Sequence, residues 1–155
     1  MKIYIITFAV LLLTGCASIK TCPTYPQDIS KGGDYTGCNM KNFDLSNRDL
    51  TSTNFSQSIL DNANFSGVIA PFSNFNNASL RNVNFLKSNV QQSDFSNSSL
   101  TNSNLTSADF RGANLTNADL YKAGGKGVLF FGANLNHTKW VNGKTCDNNS
   151  LSVCR

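Results

Sequence analysis

The chain has no glutamate. Its nine acidic residues are all aspartates, set against 13 Lys+Arg, a single histidine (His137) and a single tryptophan (Trp140). That lone histidine stands in no Cys-His, Ser-His-Asp or paired-carboxylate pattern. Covalent catalysis needs a nucleophile, a base and a group that orients the base, so the sequence nominates no catalytic set and no resident cofactor or metal. The apolar run from Ile3 to Leu13 is shorter than the roughly 20 residues that a membrane-spanning helix requires. No continuous basic stripe marks a nucleic-acid surface. Neither helical spacing nor plain strand alternation runs through the long middle of the chain, so ordinary secondary-structure reading fails there. With 155 residues there is room for one domain at most.

What the chain does have is a period of five. From Leu45 to Trp140 an apolar or small residue falls on nearly every fifth position, as in Leu50, Phe55, Leu60, Phe65, Ala70, Phe75, Leu80, Phe85, Val90 and Phe95. Two residues before these centres, small residues recur: Ala63, Ala78, Ser93, Ser103, Ala108, Ala113, Ala118 and Ala133. A fixed internal repeat denotes a solenoid. The Asn- and Ser-rich polar set is of the kind found in disordered chains, but a disordered tract would not hold one register for about a hundred residues.

The N-terminus reads as a targeting segment. Lys2, the apolar run and then Leu13-Thr14-Gly15-Cys16 have the layout of a secretory signal ending in small residues. Leu-Thr-Gly-Cys resembles the bacterial lipobox. That resemblance implies cleavage after residue 15 and a covalent lipid on Cys16, with membrane attachment as the consequence. Each buried methylene adds about 0.8 kcal/mol, so several acyl chains hold durably. By resemblance to the enterobacterial sorting pattern, Ala17 rather than Asp after the Cys implies the outer membrane, facing the periplasm, if the source is Gram-negative, and the cell membrane otherwise. Beyond residue 15 the balance is 12 Lys+Arg (13 less Lys2) against nine Asp. Four cysteines then remain, Cys22, Cys38, Cys146 and Cys154. An even number in an exported chain implies disulfides, and spacing leaves three connectivities open.

The copies Ala63-Asn64-Phe65, Ala108-Asp109-Phe110, Ala113-Asn114-Leu115, Ala118-Asp119-Leu120 and Ala133-Asn134-Leu135 resemble the pentapeptide-repeat family over about two-thirds of the chain. The resemblance implies an all-β fold, a right-handed quadrilateral β-helix of about five coils in which residues twenty apart stack. The expected organisation is a signal peptide at 1–15, a lipidated tether and N-terminal cap at 16–37, the β-helix at 38–140 and a C-terminal cap at 141–155. Stacking at twenty gives the columns Phe55-Phe75-Phe95-Leu115-Leu135, Leu60-Leu80-Leu100-Leu120-Trp140, Leu45-Phe65-Phe85-Leu105-Gly125 and Leu50-Ala70-Val90-Phe110-Phe130. It also implies an outward amide row at Asn54, Asn74, Asp94, Asn114 and Asn134, with the Asx residues before each centre serving the corners. A rod of five coils is about 24 Å long at strand spacing. On that implied fold the bridges are Cys22–Cys38 and Cys146–Cys154, one tying each end, with residues 22–37 folded over the first coil. Three departures carry expectations. Arg48 sits in a small inward slot and marks an imperfect first coil open to solvent. Pro71 removes a ladder donor. Gly124-Gly125-Lys126-Gly127 makes a bulge or small loop, and Trp140 plugs the bore beyond it.

Function is approached through charge. Residues 111–155 carry Arg111, Lys122, Lys126, Lys139, Lys144 and Arg155 against Asp119 and Asp147, whereas 38–110 are nearly balanced. The basic end lies farthest from the lipidated end. Lys122, Lys126, Lys139 and Lys144 are therefore the candidate surface for an anionic envelope component or protein, on a monomeric, non-catalytic interaction or structural module. The family's quinolone-resistance members, which mimic DNA and bind gyrase, imply an alternative. It needs rows of carboxylates and commonly a C-terminal dimer helix. Here Asn stands in most such positions, the net charge is positive, and the signal leads away from the cytosol.

Overall fold

A computed structural model describes residues 21–154; the signal segment and Cys16 lie outside the described residues. Parallel bridges link each residue to the one twenty further on, from Asp34–Asn54 to Asp119–Lys139. The chain thus winds a right-handed square tube of about five coils. Its first face runs through residues 44, 64, 84, 104 and 124, its second through 49, 69, 89, 109 and 129, its third through 34, 54, 74, 94, 114 and 134, and its fourth through 39, 59, 79, 99, 119 and 139. The only helical element among the described residues is a short 3₁₀ turn, Pro26–Asp28.

Corners explain the period. The carbonyl of most centres accepts the amide three residues on, as in Val68 N to Phe65 O at 3.2 Å and Ala78 N to Phe75 O at 3.0 Å. The third residue of these turns has positive φ, for example Asn62 at 62°, Asn77 at 57° and Asn97 at 58°. That is the signature of a type II turn, and Asn tolerates it better than other side chains. The left-handed corner therefore lies two residues after each centre. The Asx residue before the centre supports the turn from outside, its Oδ1 accepting the amide two residues on, as in Ser66 N to Asn64 at 3.1 Å. Pro71 falls on the second turn position, where Pro is favoured. In neighbouring coils that amide bonds an Asx side chain, not the ladder, as Thr51 N does to Asp49 at 3.0 Å. Ile69 stands in the Asx slot before Pro71, so the proline costs no ladder bond.

The core is the bore. Phe75 is fully buried between Phe55 at 5.1 Å (16° between planes) and Phe95 at 4.6 Å (9°). Phe65 and Phe85 meet these rings edge-on, at 5.9 Å from Phe75 and 6.0 Å from Phe95 respectively. Volume is traded within each coil, as close packing demands. Ala70 accompanies Phe65 and Phe75, and Val90 accompanies Phe85 and Phe95. Outside, an amide ladder climbs the first face: Asn64 Nδ2 donates to Asp44 Oδ1 at 3.0 Å, Asn84 to Asn64 at 3.2 Å and Asn104 to Asn84 at 3.0 Å. On the third face, where the amide row was expected, side-chain links join Asn54 to Asp34 and Asn114 to Asp94, both at 3.1 Å.

The tube begins earlier than residue 38. Asp34 already pairs with Asn54, and Tyr35 is a buried centre stacked on Phe55 at 5.7 Å. Residues 34–37 therefore belong to the first coil instead of folding over it. Tyr35 was illegible because its pentapeptide precedes the first aliphatic centre. Its hydroxyl accepts Ser30 N at 2.7 Å and donates to Asp28 O at 3.2 Å, holding the cap. Ile29 is buried beneath that cap, and Arg48 is half-buried, donating to Ile29 O at 3.1 Å. The cap thus covers the slot that was expected to stand open. Cys22–Cys38 ties this end and Cys146–Cys154 the other, with Cα separations of 5.4 and 4.9 Å.

Candidate interaction surface at the distal end

The last coil departs from the rest at Gly125, which occupies the centre filled by Leu105 one coil below. A Cβ there would lie 2.3 Å from Thr106 N, so no side chain fits. Register is nevertheless kept, because Asn104–Gly124 and Asp109–Leu129 remain bridged. The glycine segment is a reshaped corner with no inserted residue. Its missing side chain leaves a cleft of about 430 Å³ bordered by Leu105, Val128, Phe130 and Trp140. Trp140 does not close the bore. It is half-buried, with its ring 5.3 Å from that of Phe130.

The tail turns back antiparallel, pairing Lys139 with Thr145 and Asn134 with Leu151. It covers the third and fourth faces only. On the tail and on the rod beside it Leu129, Phe131, Leu151 and Val153 are exposed, Phe131 to 80%. Further along the same edge Ile69 and Phe72 are exposed. Sequence reasoning missed this edge. Leu129 and Phe131 flank a centre, and an unbroken Val-Leu-Phe-Phe run hides which residues point outward.

The four lysines fall into two sets. Lys122 and Lys139 place their Nζ atoms 5.2 and 4.8 Å from the Tyr121 ring, within cation–π range. Lys139 also meets Asp119 at 3.3 Å. Lys126 sits on the next corner, beside the cleft, and Lys144 on the tail; both are exposed. His137 is an exposed corner residue with φ 56°.

Carboxylates elsewhere are tied into the frame. At Asp109 the Arg111 guanidinium, 2.6 Å away, holds the carboxyl below its ordinary pKa, although partial burial opposes this. Burial likewise works to raise Asp61, but hydrogen bonds from Ser79 and Arg81 prevail and lower it. Asp49, bonded by Lys31 and Thr51, is lowered to about 2.

A family model described as pentapeptide repeats (8 copies) matches residues 36–67, 58–97 and 93–123. This is more than half of the chain, which belongs to the pentapeptide-repeat family. No curated protein matches the chain by sequence. Among solved structures it is similar to QnrB1, a plasmid-mediated fluoroquinolone resistance protein, with 18% identity over 70% of this chain and 72% of that one and a TM-score of 0.42. It is similar also to the pentapeptide repeat protein Rfr23 from the cyanobacterium Cyanothece 51142, at 25% identity, 75% and 88% coverage and a TM-score of 0.41. A pentapeptide repeat protein from the Arabidopsis thaliana thylakoid lumen matches at 25% identity, 76% and 74% coverage and a TM-score of 0.23.

Proposed function

We propose that this chain is a lipid-anchored, non-catalytic interaction module of the bacterial cell envelope, held by Cys16 and presenting its distal, basic end to an anionic component. The observation that carries the reading is the state of that end. Elsewhere the bore is filled and the cysteine-tied cap seals the start, whereas the distal end keeps exposed Lys126 next to an unfilled cleft and exposed Lys144 on the tail. A charged surface of one sign concentrates partners of the other. The first- and third-face rows carry mostly neutral amides, which gives no support to phosphate mimicry.

Two experiments test the proposal. The Cys16→Ser chain should leave the membrane fraction and escape globomycin-sensitive processing; unchanged fractionation refutes the anchor. Replacing Lys122, Lys126, Lys139 and Lys144 together by Gln should abolish capture of envelope partners in crosslinking with mass spectrometry. Undiminished capture refutes the docking surface.

A further inference from the structure

The distal end is a half-finished ladder. In the coil beneath, the amides of Leu105, Ser107 and Phe110 donate upward to Gly124, Lys126 and Leu129 at 2.7, 2.8 and 2.8 Å. The carbonyls of Ser103 and Ala108 accept from Gly124 and Leu129, both at 3.0 Å. One coil further on, the corresponding upward groups of the first two faces are the amides of Gly125, Gly127 and Phe130 and the carbonyls of Ala123 and Val128. Among the described residues none of these five has a hydrogen-bond partner. On the other two faces the tail satisfies the equivalent groups. Leu135 N reaches Ser150 O at 2.8 Å, His137 N reaches Cys146 O at 3.1 Å, and the carbonyls of Ala133 and Thr138 accept from Ser152 and Cys146 at 3.0 and 2.9 Å.

A strand edge is a template for another strand. This edge also has a specificity pocket, because the cleft at Gly125 lies where the tube would otherwise hold a large side chain, and its volume falls in the range of ligand sites. Lys126 and Lys144, neither in a salt bridge among the described residues, set the charge of what approaches.

We infer that the open half of the distal end binds an extended acidic peptide, which adds as a parallel strand over residues 123–130 and seats one large apolar side chain in the cleft against Phe130 and Trp140. This deepens the reading of the distal end as a docking surface and rests on it for the sign of the charge. The backbone supplies the register, the cleft selects an aliphatic or aromatic side chain, and the lysines favour acidic flanks. A second rod meeting the same edge is the rival occupant.

The probe is an acetylated, amidated ten-residue peptide copying residues 101–110, the segment already paired beneath this edge, with its two internal Asn residues changed to Asp. Trp140 is the chain's single tryptophan and borders the cleft, so its fluorescence reports occupancy directly. Saturable change in Trp140 emission, with slowed hydrogen exchange at Gly125, Gly127 and Phe130 but not at Leu135 or His137, is the expected result. A control peptide with its Leu and Phe changed to Ser should bind at least about tenfold more weakly. Val128→Phe, which fills the cleft, should weaken binding similarly. Lys126→Glu with Lys144→Glu, both on exposed positions, provides a charge-reversal variant that does not touch the core. Absence of any Trp140 change and of any protection up to about 1 mM peptide overturns the inference. So does edge protection that rises with protein concentration alone, which assigns the edge to a second copy. If the Lys-to-Gln chain still binds the probe and envelope capture also persists, the strand-addition site stands and the electrostatic docking reading falls. If the probe fails while envelope capture stays lysine-dependent, the reverse holds.

Discussion

Phe75→Ala interrogates the stacked tube at its centre. The ring is fully buried, lies near-parallel to two others at 4.6 and 5.1 Å, and meets Phe65 and Phe85 edge-on at 5.9 and 6.3 Å. Truncating a buried Phe costs about 3–5 kcal/mol, combining lost transfer energy with the cavity left behind. Aromatic pairs add about 0.5–1.5 kcal/mol beyond burial. The bore cannot collapse at this site, because ladders on all four faces hold the neighbouring coils at strand spacing. The upper end of that range, about 4–5 kcal/mol, is therefore expected. With a urea slope of about 2 kcal/mol/M, typical for a small protein, the unfolding midpoint should fall by about 2 M. Phe75→Leu should lose only about 1–1.5 kcal/mol, since a leucine centre is what the same column accepts at Leu115. Far-UV circular dichroism follows the coils and Trp140 fluorescence the distal end. Coincident transitions by both probes justify two-state treatment. Exposed Phe131→Ala is the control, expected to stay within about 0.5 kcal/mol. A loss below about 1 kcal/mol for Phe75→Ala, with Phe131→Ala equal to it, would refute a core built from stacked rings.

Three further outcomes follow from single observations. Ser88 is buried with its hydroxyl unpartnered, so Ser88→Ala should raise stability by about 1 kcal/mol in the same urea assay; destabilisation by that amount would show that the hydroxyl is satisfied. Asp44, Asp49, Asp61 and Asp109 all have depressed pKa values in the folded chain, Asp49 at about 2 against an ordinary 3.8. Their contribution is complete above the unfolded pKa of about 4 and is lost as pH falls through the folded values; urea midpoints should hold from pH 7 to about 5 and drop by pH 2.5, and a flat profile refutes the linkage. Replacing Cys146 and Cys154 by Ser should release the tail, red-shift Trp140 emission and expose 141–154 to protease while Phe75-centred coils keep their circular dichroism; unchanged protection would mean that the antiparallel pairing alone holds the cap.

Much of this architecture was legible because the repeat is its own register. Phe75 between Phe55 and Phe95 follows from position arithmetic once the family resemblance implies four repeats to a coil, and on that implied fold the disulfide pairing follows from the separation of the rod's ends. The corner chemistry was half legible. Asx residues before each centre were visible as turn supports, but the left-handed position two residues after each centre accepts Asn, Ser, Gln, Lys and even Phe72, so composition hardly marks it. Arg48 shows the limit of slot-by-slot reading. A charged residue in an inward slot predicted exposure, yet a carbonyl from Ile29, nineteen residues away, receives it.

The sequence by itself determined the period of five, because that depends only on spacing along one chain; the four columns, the order of coils and the cysteine pairing followed once the family resemblance implied four repeats to a coil. Tertiary structure decided how the ends finish. Tyr35 joined the first coil and the tail closed two faces of the last, since those outcomes depend on which backbone groups find partners across non-repeating segments. The glycine cleft and its unpaired edge arise from that same contest, and a residue pattern records the strand that is present, never the strand that is missing.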